Sequence, residues 1–202
     1  AGGTEAAPNI LFLLENTSNW TNNNQKFPPA TTGSAACKAV DTQGAAEKCA
    51  ISNVVGAISD SNIMNVGLAE FNRMSAYIRF GIRNMNISAN KSAFQQLMSN
   101  IDINDNSEKI NEKGQIESAA FYEIYKYFEG LTPYKGAYSL NSLVDVSGNT
   151  KFSKSGLGLT ATTLGATCDE TKIGQQCGLQ GSASTGSGDY NGPDTSCSSN
   201  YV

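Results

Sequence analysis

Histidine is absent from this sequence of 202 residues. Its absence excludes Ser-His-Asp and Cys-His catalysis, histidine-liganded zinc or haem, and any histidine-based pH switch. Charged residues are also few, at 16% of the chain, and the net charge is −4. Because phosphate binding needs a basic face, this balance argues against nucleic acid as a partner. No pair of activated side chains stands at a recognisable catalytic spacing, so the sequence does not indicate an enzyme.

Long apolar runs and closely spaced cysteines are missing as well. No apolar stretch approaches the roughly 20 residues of a membrane span. None of the five cysteines forms a Cys-x-x-Cys pair, which argues against a zinc ribbon or a thioredoxin-type redox site. Cysteines scattered through a polar chain are typical of disulfides in an oxidising compartment, with buried free thiols as the alternative. The chain begins with Ala1 rather than Met, as a mature secreted protein or a trimmed chain would.

The odd number of cysteines leaves one without an intramolecular partner. We expect this one to be Cys197, which lies near the end of the sequence and is free, joined to another chain or separated from its partner. The remaining cysteines are the expected disulfide set: Cys37, Cys49, Cys168 and Cys177.

Apolar spacing predicts an α/β fold. Residues 10–14 are five consecutive apolar residues, typical of a parallel strand buried on both faces. The spacing further predicts helices over residues 42–59, 90–101 and 114–130, with Gly130 ending the last, and strands over residues 63–71 and 76–82 joined as an antiparallel hairpin. This order predicts a doubly wound sandwich: a mostly parallel central sheet, helices on both faces and one antiparallel strand.

The second half of the chain has a different composition. Residues 133–196 are rich in Gly, Ser, Thr and Asn, so we expect a loop-rich insertion within a single domain over residues 1–202, tied by Cys168 and Cys177. Loops of this length usually serve function. Residues 197–202 are typical of the entry to another buried strand, which predicts a domain that is incomplete at its C-terminus or completed by a partner.

A polar turn after the first strand is the main candidate site. Glu15, Thr17 and Asn19 alternate just past the buried strand, where α/β folds place ligands. Hard cations such as Mg²⁺ and Ca²⁺ prefer such oxygen ligands. The alternative is that these side chains only cap and order the turn. Trp20 either packs on the sheet or lines a ligand site, with packing favoured.

The aromatic helix is the second candidate. At helical spacing half of its rings must face the core, so core packing is the default, and the outward pair is expected to be Tyr122 and Tyr125.

Several of these segments resemble the type IV pilus tip adhesins of the PilC/PilY family. The turn resembles the Asp-x-Ser-x-Ser metal-ion-dependent adhesion site of von Willebrand factor A domains, with every position altered. The matching segments occur in the family's order: residues 8–20 (PNILFLLENTSNW), 65–71 (NVGLAEF), 77–83 (YIRFGIR), 121–130 (FYEIYKYFEG) and the start of a next central strand at residues 197–202.

The resemblance implies a von Willebrand factor A-like domain of a secreted adhesin at the bacterial pilus tip. It implies contact with minor pilins or other pilus subunits, a host or surface ligand, and further domains of the same protein. It also implies a degenerate Mg²⁺ or Ca²⁺ site at Glu15, Thr17 and Asn19, with Gln115 near the place of the family's Thr. Glu15 replaces the usual Asp, and its longer side chain would displace the metal. The alternative function is a structural subunit of an extracellular filament.

Overall fold

The computed structural model describes residues 7–23, 37, 42–71, 74–101, 117–135, 190, 192–193 and 199–202. Within them lie four strands and three helices, in the order β1 (Asn9–Leu14), α1 (Gln43–Gly56), β2 (Asn65–Phe71), β3 (Ala76–Asn84), α2 (Ser88–Asn100), α3 (Glu117–Phe128) and β4 (Asn200–Tyr201). A short 3-10 helix, Ser18–Thr21, follows β1. In this part of the chain no helix combines the length and apolarity that a bilayer crossing requires.

The four strands form one mixed sheet in the order β3-β2-β1-β4. Strand β1 is parallel to β2 and to β4, and β2 and β3 are antiparallel, as the hairpin prediction required. Arg79 is an extra residue in β3, because Leu68 pairs with Phe80 while the next residue, Ala69, pairs with Ile78. The predicted α/β class is confirmed, and the arrangement is compatible with a Rossmann-like fold.

Helices cover both faces of this sheet. Apolar side chains of α1 and α2 pack with Val66, Leu68 and Phe80 in the larger core cluster. On the other face, Ile124 and Tyr127 of α3 pack with strand residues Leu11, Ala69 and Ile78. Alternate residues of a strand point to opposite faces, so a strand covered on both sides must be apolar throughout. This explains the unbroken apolar run in β1.

Local signals mark the helix ends. The hydroxyl oxygen of Thr42 accepts a hydrogen bond from the Ala45 N–H at 3.3 Å and caps α1. Gly130 has a φ of +63° and follows α3, where the Leu131 N–H bonds the Lys126 carbonyl oxygen. Helix α1 ends three residues before its predicted end, because Asn62 accepts from the Ser59 N–H and starts a turn there.

Helices α1 and α2 are joined by two lysine side chains. Lys48, in the first half of α1, donates from Nζ to the carbonyl oxygen of Ile101 at the end of α2. Lys91, near the start of α2, donates to the carbonyl oxygen of Ile58 just past α1. Each cation satisfies a carbonyl at a helix C-terminus, where the helix dipole is negative. The two contacts fix the pair in an antiparallel arrangement.

The cysteine predictions have separate outcomes. Cys37 and Cys49 form a disulfide with an S–S distance of 1.99 Å. Most of the predicted insertion over residues 133–196 lies outside the described residues, and so do Cys168, Cys177, Cys197 and Gln115.

Candidate functional site

The turn after β1 lies at the carboxyl end of the parallel strands. The Asn16 side chain donates from Nδ2 to the Phe71 carbonyl oxygen at 3.0 Å, which links the ends of β1 and β2. Glu15 Oε1 accepts from the Thr17 N–H at 3.0 Å and also from the Thr17 hydroxyl. Thr17 is buried and Asn19 is exposed. These bonds are the ones expected of side chains that order a turn.

A resident metal ion fits this turn poorly. One carboxylate oxygen of Glu15 is engaged by its own turn, and Gln115 lies outside the described residues. Among the residues that the structure describes, no group of three or more His, Cys, Asp or Glu side chains is placed to hold a metal. The degenerate Mg²⁺ or Ca²⁺ site stays a prediction from the sequence.

Trp20 packs in the core and does not contribute to a ligand surface. Its side chain is 1% exposed. The indole lies against α1 at Gly44, where a Cβ atom would come within 2.3 Å of Trp20 Cδ1. Only glycine permits this approach, so the 3-10 helix and α1 are held together by an aromatic ring that fills the place of a side chain. The favoured interpretation, that Trp20 packs, is therefore confirmed, and the alternative that it lines a ligand site is wrong.

A second carboxylate lies close to Glu15. Glu47 of α1 accepts a hydrogen bond from Gln43 at 3.1 Å. Partial burial raises the pKa of Glu47, and the nearby charge of Glu15 raises it further, while the hydrogen bond from Gln43 acts in the opposite direction. The carboxyl edge of the sheet thus carries two neighbouring acids on its α1 side.

The end of β2 carries a buried polar group that sequence reasoning missed. Glu70 is fully buried and accepts a hydrogen bond from the Tyr77 hydroxyl, while Arg79 Nε lies 3.8 Å from Glu70 Oε1. The bulge in β3 positions Arg79 for this contact. The group joins the two antiparallel strands and is shielded from solvent.

A larger polar network surrounds Glu123 of α3, which is also fully buried. Oε1 accepts from the Tyr134 N–H at 3.0 Å and from the Tyr190 hydroxyl at 2.6 Å. Oε2 accepts from the Lys135 N–H at 2.5 Å and the Ser75 hydroxyl at 3.3 Å. We call this set the Glu123 network. It joins the residues after α3 to Ser75, just before β3, and to Tyr190, which lies near the far end of the predicted insertion.

Tyr190 remains a hydrogen-bond donor in this network. Burial raises the pKa of its phenol well above 10, and the adjacent charge of Glu123 adds to the effect. The Tyr190 N–H also bonds the Leu131 carbonyl oxygen at 3.0 Å. Tyr190 and the residues just after α3 therefore lie side by side at the C-terminal end of that helix.

The outward side of α3 exposes aromatic rings, as the sequence predicts for Tyr122 and Tyr125. Their exposed fractions are 46% and 52%. The two rings stack with centroids 6.3 Å apart, and Tyr134 meets Tyr122 edge-on at 5.4 Å. Lys126 lies over the Tyr122 ring at 5.2 Å, and Lys135 over Tyr134 at 5.6 Å. We call these three tyrosines the aromatic surface.

No family model, curated protein or solved structure matches this chain. The geometry of the Glu15 turn, the Glu123 network and the aromatic surface therefore carries the functional argument.

Proposed function

We propose that this chain is an extracellular adhesion and interaction domain of a type IV pilus tip protein, of the PilC/PilY family and with a von Willebrand factor A-like fold. It acts through protein contacts, supporting pilus assembly and surface attachment or sensing. Minor pilins or other pilus subunits are its first partners, and a host or surface molecule is a further ligand. The secreted location agrees with the Cys37–Cys49 disulfide, since disulfides persist in oxidising compartments.

The aromatic surface is the observation that carries this proposal. Tyrosine side chains are enriched at protein interfaces because they combine a large apolar area with a polar hydroxyl. Here three such rings contact one another and two lysines, yet each remains about half exposed. Helix α3 presents Tyr122 and Tyr125 on a rigid backbone, so little entropy is lost when a partner covers them. Exposed apolar clusters of this kind commonly mark interaction sites.

The fold supports the family assignment in a second way. A mixed sheet with one antiparallel outer strand and helices on both faces agrees with the architecture that the resemblance implies.

The test measures binding of purified minor pilins from the same pilus system to the full chain. The double variant Tyr122→Ser/Tyr125→Ser is expected to lower affinity by about tenfold or more, because buried tyrosines are frequent interface hot spots. Val54→Ser is the matched control: Val54 is 52% exposed, and it lies on a helix that covers the opposite face of the sheet. Equal affinity in the wild type and the double variant would contradict the proposal.

A structural subunit of an extracellular filament remains the alternative function. Assembly that grows with protein concentration in light scattering would favour it.

A further inference from the structure

A groove of about 470 Å³ lies between α1 and α2. Helix α1 contributes Ser52, Asn53 and Gly56 to its lining, and α2 contributes Gln95 and Gln96 between two serines, Ser92 and Ser99. Every lining side chain is a hydroxyl or a carboxamide, and none carries a charge. The volume lies within the range of small-molecule sites.

The chemistry of this lining selects against most ligand classes. The α2 residues recur at the spacing of one helix face, where a solvated face normally carries lysines and glutamates. Without charges the groove offers no strong attraction for an anion or a cation, and its polar lining does not suit an apolar ligand. Hydroxyl and carboxamide groups both donate and accept hydrogen bonds. Such groups match a neutral ligand that itself carries many hydroxyls.

The groove is held in shape by contacts in its walls. The Asn53 carboxamide spans the disulfide, with Nδ2 3.5 Å from Cys49 Sγ and Oδ1 3.6 Å from Cys37 Sγ. Gln95 Nε2 lies 3.5 Å from the Ser52 carbonyl oxygen, across the groove. Gly56 leaves this space open, because a Cβ atom there would lie 3.1 Å from Gln95 Nε2. Preorganised polar groups lose little entropy when a ligand binds.

We propose that the groove between α1 and α2 binds a neutral carbohydrate. The site lies on a different face of the sheet from the aromatic surface and does not depend on any pilus partner. Saccharide binding by the isolated chain and pilin binding through Tyr122 and Tyr125 can therefore succeed or fail independently.

The test uses the full, oxidised chain with maltotriose, chitotriose and N-acetyllactosamine as probes in saturation-transfer NMR, followed by chemical-shift titration. At least one of these neutral saccharides is expected to bind, with shifts confined to the groove. Ser92→Leu/Ser99→Leu fills the groove and is expected to weaken binding about tenfold or more. Gln95→Ala removes one carboxamide without adding bulk and is expected to weaken binding less. Ala50→Gln, an exposed position on α1 outside the groove, is the matched control.

Several results would overturn the proposal. One is the absence of saturation transfer from all three saccharides at millimolar concentration. Another is binding that the leucine variant leaves unchanged while its circular dichroism matches the wild type. Binding of a heparin tetrasaccharide alone would indicate ionic recognition instead. Self-association that the leucine variant abolishes would make the groove an interface between copies.

Discussion

The face of the sheet under α1 and α2 and the face under α3 are stabilised in different ways. On the first face, a large apolar cluster is supplemented by two lysine–carbonyl contacts and a disulfide. On the second, the apolar cluster is small, and the fully buried carboxylate of Glu123 accepts four hydrogen bonds from neutral donors. A small change of one side chain in an apolar cluster lowers the free energy of unfolding only a little. Removing one member of a buried polar network lowers it more, because the remaining members are left without hydrogen-bond partners.

Glu123→Gln is expected to have the largest effect on this comparison. A carboxamide presents a donor where the carboxylate accepted two bonds, which leaves buried N–H and O–H groups without partners. We expect a loss of about 3 kcal/mol in the free energy of unfolding, measured by urea denaturation. Hydrogen exchange at Tyr134 and Lys135 should quicken at the same time. Glu129→Gln, an exposed control just past the same helix, should change stability by less than about 0.5 kcal/mol.

Gly44→Ala tests how tightly the other face is packed. The added Cβ would overlap the Trp20 ring, so we expect a loss of about 2 kcal/mol, reduced somewhat by the better helix propensity of alanine. Near-ultraviolet circular dichroism should show an altered tryptophan environment. A variant as stable as the wild type, with an unchanged spectrum, would mean that the contact between α1 and the 3-10 helix is loose.

Lys48→Met should cost more than Lys91→Met. Lys48 is buried, so its loss leaves the Ile101 carbonyl without its cation in a dry environment, whereas water can replace the half-buried Lys91. We expect the free energy of unfolding to fall by about 1.5 kcal/mol for Lys48→Met and by less than about 1 kcal/mol for Lys91→Met, measured by thermal and urea unfolding. The reverse order would show that burial does not govern these two contacts.

Glu47→Gln is expected to have the smallest effect, with a magnitude that depends on pH. Because the folded-state pKa of Glu47 is raised above its ordinary value of 4.5, the folded state binds the proton more readily than the unfolded state. The free energy of unfolding therefore falls as the pH rises from 4.5 through the raised folded-state pKa of Glu47. The full loss of stability is present at neutral pH. The variant should melt slightly above the wild type at pH 7, and this difference should shrink towards pH 4. A difference independent of pH would contradict the assignment.

The elements that could be predicted from the sequence are those whose signal is local. The apolar run before Glu15 predicted β1, and the spacing of Phe94, Leu97 and Met98 predicted α2. In both cases burial determines which positions are apolar, and that spacing is visible within a few neighbouring residues. The exposed pair Tyr122 and Tyr125 followed from the same period. The role of Glu15 and Thr17 in the turn was one of two alternatives, since short polar side chains often bond their own backbone.

The missed groups depend on partners far away along the chain. From the sequence, Glu123 resembles any acidic residue in a helix. In the structure it accepts hydrogen bonds from Ser75 and Tyr190, which are 48 and 67 residues away. Packing of Trp20 was the favoured interpretation, but its partner, Gly44 of α1, was identified only by the tertiary structure. One signal in the sequence could have indicated the Glu123 network: Glu123 is an acidic residue on the apolar side of α3, next to Ala120 and Tyr127.

The sequence by itself determined the element types, the α/β class and the lack of histidine chemistry, because these follow from composition and from periods of a few residues. Only the tertiary structure decided which polar groups come together: Glu70 with Tyr77 and Arg79, Glu123 with the residues just after α3 and with Tyr190, and the side chains of the neutral groove between α1 and α2. Burial and hydrogen bonding arise between segments that are distant in sequence, and no local pattern encodes which segments will meet.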